Sequence, residues 1–151
     1  MLSSLALASV LSGCGSDEID VPATKVSADD AARCRALVDA LPATVADQKR
    51  RATTGNAFSA AWGDPAIVLR CGVGVPRDYD KFAACQRADG VDWFVPESVM
   101  ADQRADVVMT TLGRSPRVEV TVPADYRPTL APMTDLATAI KEATREVSPC
   151  E

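Results

Sequence analysis

The sequence predicts an α+β two-layer sandwich, an antiparallel sheet of three to five strands with an N-terminal and a C-terminal helix packed on one face. Three observations carry this. Apolar residues recur at helical spacing near both ends, at Cys34, Leu37, Val38 and Leu41 and again at Met133, Leu136, Ile140, Ala143 and Val147. Between them lie short β-branched runs bounded by Gly and Pro. The chain has 151 residues, 47% of them hydrophobic, which suits one domain with a real core.

The elements follow in order. Residues 1–13 carry no charge, and "MLSSLALASV" reads as an export h-region. It is too short to span a bilayer, which takes about 20 apolar residues. The run ends in Leu11-Ser12-Gly13-Cys14, which resembles the lipobox of bacterial lipoproteins. That resemblance implies a diacylglyceryl group on the Cys14 thiol and cleavage just before it. The n-region lacks the usual Lys or Arg, so translation is expected to start further upstream. Residues 14–26, with the polar "GSDEIDVPATKV", read as a flexible tether able to reach about 40 Å at ~3.3 Å per residue. A single globular domain is expected over 27–151.

Ser27 reads as a helix cap answered by Asp30, and Pro42 stops that helix. "TVADQKRRATT" fits either an edge strand, with Arg50 and Arg51 discouraging edge pairing, or a loop. "AIVLRCGV" is a strand with Ile67, Leu69 and Cys71 on one face, and "VDWFV", Val91 to Val95, is the next. "ADVVMTTL" and "RVEVTV" pair as a hairpin through the turn residues "GRSP". The last helix ends at Pro149, just before Cys150.

Cysteine usage supports export independently. Five cysteines are present, and once Cys14 is assigned to lipid, Cys34, Cys71, Cys85 and Cys150 remain, which reads as two disulfides. Three pairings are open. The layout of one helix at each end brings Cys34 to Cys150 and leaves Cys71 with Cys85, bridges worth about 4–5 and about 3 kcal/mol by loop entropy. No Cys-x-x-Cys occurs, which argues against a thioredoxin-like site or a zinc knuckle.

The stretch "AAWGDPAIVLRCGVGVP", Ala60 to Pro76, with "VDWFV" and "GRSPRVEVTVP", resembles the actinobacterial lipoprotein family of domain of unknown function 3515. Trp62-Gly63-Asp64-Pro65 and Arg70-Cys71-Gly72 are the most specific part. Twelve arginines against four lysines suit the GC-rich genome such a family implies. The resemblance implies a membrane-anchored envelope protein on the outer face of the cytoplasmic membrane, and it assigns no reaction.

The residue inventory narrows the chemistry. With no histidine, Ser-His-Asp and Cys-His mechanisms and the commonest transition-metal ligand are absent. No Ser-x-x-Lys, Gly-x-Ser-x-Gly or phosphate loop occurs, and "GVGVPR" lacks the last glycine of a dinucleotide fingerprint. "DYDKFAACQ" starts like a calcium loop, but Phe82 and Ala83 fall where an oxygen ligand and a glycine are needed. No cofactor, metal site or catalytic residue is therefore assigned. A net charge of −5 with no basic stripe argues against nucleic acid as a partner.

The candidate binding residues are Trp62, Asp64, Arg70 and Trp93, since two indoles beside an arginine suit a sugar or an anionic headgroup. The competing reading buries Trp62 under a Gly-Asp-Pro turn, has Asp64 cap backbone amides and sends Arg70 into an ion pair. Two functions from different classes follow. The first is a non-catalytic module that binds an envelope protein or a cell-wall component through the uncovered sheet face or the loop from Gly72 to Asp89. The second is a cell-wall glycan hydrolase using carboxylates drawn from Asp64, Asp92, Asp102 and Asp106.

Overall fold

The computed structural model describes residues 18–80 and 82–148. The expectations for the signal segment, Cys14, Pro149 and Cys150 lie outside them. In chain order the elements are β1 (Ile19–Asp20), α1 (Ala28–Ala40), β2 (Thr44–Val45), β3 (Gln48–Arg51), β4 (Thr53–Thr54), β5 (Ser59–Trp62), β6 (Ile67–Val73), β7 (Cys85–Ala88) and β8 (Val91–Phe94). There follow α2 (Glu97–Ala101), β9 (Val107–Leu112), β10 (Arg114–Ser115), β11 (Arg117–Val122), a 3₁₀ turn (Ala124–Tyr126), α3 (Leu130–Ala143) and β12 (Arg145–Glu146).

The class is α+β, but the sheet has eight strands rather than three to five. Its order is β2-β3-β5-β6-β11-β9-β8-β7, with every neighbour antiparallel. The added strands lack a β-branched alternation. β5 is Ser-Ala-Ala-Trp and β7 is Cys-Gln-Arg-Ala, and both are ordered by their neighbours rather than by intrinsic preference. The expected hairpin is present, with Glu119 opposite Thr110 and Val122 opposite Val107.

α1 and α3 pack against each other and on the same face of the sheet. Ser27 caps α1 as its sequence implies, its hydroxyl accepting from the Asp30 N–H at 3.1 Å. Arg50 closes the other end, donating to the carbonyls of Val38 and Leu41. The face that α3 buries holds Met133, Leu136, Ile140 and Ala143, while Val147 lies beyond the helix and is exposed. These meet Ile67, Leu69, Met109, Val118, Val120 and Trp93 from the strands, and the alternating register of β6 and β11 puts Ile67, Leu69, Cys71, Val118, Val120 and Val122 on this one side.

The opposite face is not bare. The chain from β6 to β7 crosses it, and Tyr79 sets its ring edge-on to Phe94 at 5.5 Å. Phe94, Thr110, Leu112 and Asp92 are buried on this face.

Two further expectations are corrected. The segment read as tether is folded from Ile19 onward, because β1 pairs in parallel with β4, Val21 is buried, and the Thr24 hydroxyl donates to the Cys71 carbonyl at 2.8 Å. The disulfide is Cys34–Cys71, with Cα atoms 5.5 Å apart, not Cys34–Cys150 and Cys71–Cys85. The reason is packing. α1 lies on β6, so Cys34 on its buried face meets Cys71 on the core face of the strand, while the chain after α3 leaves along Gly113 through the Val147 N–H to Gly113 carbonyl bond. Cys85 is also disulfide-bonded.

Candidate functional site

Trp62 ends β5 in the core with no exposed surface. Its indole N–H donates to the Pro42 carbonyl at 3.0 Å, and the Arg50 guanidinium lies 5.3 Å from its ring centroid. Burial lowers the Arg50 pKa from its usual value, and Asp39 opposes that shift. Trp93 is equally buried on β8, and its N–H has no hydrogen-bond partner among the described residues. Because β6, β11 and β9 separate β5 from β8, the two indoles do not share a surface. Both indoles are buried in the core.

Asp64 sits in the β5–β6 turn, where Gly63 has φ +78° and the Asp64–Pro65 bond is cis. Its side chain is 90% exposed and lies 3.8 Å from Arg51, rather than capping backbone amides. Arg70 projects from β6 on the face away from the helices and binds Glu119 through both Nε and Nη2. Three of the acidic candidates are engaged locally. Asp92 is held by Arg87 at 2.6 and 2.8 Å, Asp102 accepts from the Arg104 N–H, and Asp106 accepts from the Ala124 N–H. The bond to Asp92 raises the Arg87 pKa. Among the described residues no group of three or more His, Cys, Asp or Glu is placed to hold a metal ion.

Of the four candidate residues, Arg70 borders a concave surface. One residue before the strand ends, Gly72 has φ +80° and its backbone passes so close to Val26 that any Cβ would strike it. That contact holds the segment Thr24–Ser27 against the end of β6. A groove of about 390 Å³ opens between them, lined by Thr24, Lys25, Arg70, Gly74, Arg77 and Glu119. It continues into a smaller pocket of about 230 Å³ beneath the start of α1, lined by Lys25, Ser27, Asp30, Arg114, Pro116 and Arg117. Sequence reasoning missed Lys25, Arg114 and Arg117. They are scattered through the sequence, and only the β6 end and the β10 arm bring them together.

A second cavity, about 440 Å³, lies under the β6–β7 connection between Asp78, Asp80, Phe82, Phe94, Glu97 and Met100. Phe82 there is 85% exposed. No helix among the described residues is long and apolar enough to cross a membrane.

The family described as "Protein of unknown function (DUF3515)" matches residues 2–149, nearly the whole chain, and the chain belongs to it. Comparison with curated proteins and with solved structures found no match.

Proposed function

We propose that this chain is a membrane-anchored extracytoplasmic lipoprotein of an actinobacterial cell envelope, whose domain is a non-catalytic binding or assembly module. The single observation behind the binding reading is the groove at the end of β6. It gathers Lys25, Arg77 and the Arg70–Glu119 pair around one open surface, whereas Asp92, Asp102 and Asp106 are each engaged locally. The address rests on the lipobox-like Leu11-Ser12-Gly13-Cys14, and the buried Cys34–Cys71 bridge supports an oxidising compartment. If Cys14 carries lipid, Cys150 is left as the partner of Cys85.

The folded part begins at Ile19, so at most about 17 Å of extended chain, ~3.3 Å per residue, separates Cys14 from β1. The domain is therefore held close to the headgroups rather than on a long leash. Crosslinking of the lipidated protein in its native membrane, followed by capture, tests the reading. The expected result is a specific envelope protein or wall component whose yield falls when Lys25 and Arg77 are replaced by Ala. Recovery of neither, from cells that show a loss phenotype, counts against it.

A further inference from the structure

We propose that the pocket beneath the N-terminus of α1 binds a phosphate-class oxyanion, anchored by the Arg114 guanidinium; this rests on the reading of the domain as a binding module. Arg114 is only 7% exposed. Its Nε and Nη1 have no hydrogen-bond partner among the described residues. Among the described residues it makes an ion pair with Glu146, whose carboxylate is 62% exposed and 4.0 Å from Nη1, too far for a hydrogen bond. A guanidinium cannot discharge itself by losing a proton, so a buried one needs an anionic partner to offset its desolvation. The pocket beside it can supply one.

Three further features fix the sign and class of that partner. Lys25 and Arg117 line the same pocket, giving three cations with Arg114 against the single lining carboxylate of Asp30. On a chain of net charge −5 this excess runs against the whole molecule. α1, thirteen residues long, points its positive end at the pocket, although Asp29 and Asp30 in its first turn oppose part of that field. An arginine fork matches two oxygens of one planar or tetrahedral anion, and further cations around it suit the several oxygens and higher charge of phosphate over carboxylate. The adjoining groove, with Arg70 and Arg77, leaves room for whatever the phosphate is attached to.

The phosphate can come from a lipid headgroup or from solution. Purified full-length protein is titrated with inorganic phosphate at constant ionic strength, read by calorimetry. Saturable one-site binding is expected, weakened about tenfold or more in Arg114→Met, several-fold in Lys25→Ala, and unchanged in Arg145→Ala, an exposed residue outside the pocket lining. Should Arg114→Met fail to fold, the Lys25→Ala/Arg117→Ala double variant carries the same expectation. Binding of the Cys14→Ala chain to phosphatidylglycerol vesicles, competed by free phosphate, assigns the lipid source. Phosphate binding without vesicle binding assigns the soluble one. Absence of saturable binding up to about 50 mM phosphate, or loss of less than about twofold in the folded pocket variants, overturns the site. The titration does not depend on Cys14, so its failure leaves the membrane address untouched, and loss of lipidation leaves the pocket untouched.

Discussion

Removing the Cys34–Cys71 bridge is the sharpest perturbation of the fold. The bridge closes a separation of 37 residues, and restricting that loop in the unfolded chain is worth about 4 kcal/mol by the chain-entropy relation. Both cysteines are fully buried where α1 meets β6, so Cys→Ala removes little besides the bond. With a urea slope of about 1.5 kcal/mol/M, the unfolding midpoint should fall by about 2–3 M. Trp62 and Trp93, both fully buried, report unfolding through their fluorescence. Because one bond joins the two residues, Cys34→Ala, Cys71→Ala and the double variant should lose nearly the same stability. Additive losses, as two separate bridges would give, or a midpoint shift below about 0.5 M, would refute the pairing and the placement of α1 on β6.

Two further perturbations test the details. Gly72→Ala forces a side chain into φ +80° and sets its Cβ 1.9 Å from Val26 Cγ1, so it should cost at least about 2 kcal/mol in thermal unfolding; adding Val26→Ala should recover part of that loss, and no recovery would contradict the close approach. Trp62→Phe removes a hydrogen bond to Pro42 and weakens the stack under Arg50, whereas Trp93→Phe removes an N–H that has no partner among the described residues, so the first should be more destabilising by about 1–2 kcal/mol in urea melts, and equal losses would contradict the assignment.

The legible parts of the fold are those where local preference and tertiary position agree. Ser27, Asp30 and Pro42 mark α1 before any packing is known, and the valines of β11 alternate as a half-buried strand must. β5 and β7 carry no such signal, since Ala60, Ala61 and Ala88 are strand residues only because β6 and β8 offer them hydrogen bonds. The disulfide error has the same origin. Helical spacing correctly turned Cys34 inward, but which strand it would meet depended on how α1 lies across the sheet, a long-range fact with no local marker. At the site, Arg70 was visible as an outward residue on a clear strand. Arg114 looked like part of a turn, and its burial follows from the short β10–β12 pairing that draws the chain end across it.

The odd cysteine supplies the most direct test of the membrane address. Five cysteines cannot all pair within one chain, and with Cys34 and Cys71 joined to each other, Cys14 and Cys150 compete for Cys85. A sulfur that carries a diacylglyceryl thioether cannot also form a disulfide. Non-reducing peptide mapping by mass spectrometry of protein taken from its native membrane decides between them. The account predicts a Cys85–Cys150 linked peptide together with an N-terminal peptide that begins at lipidated Cys14; a Cys14–Cys85 linked peptide would contradict it.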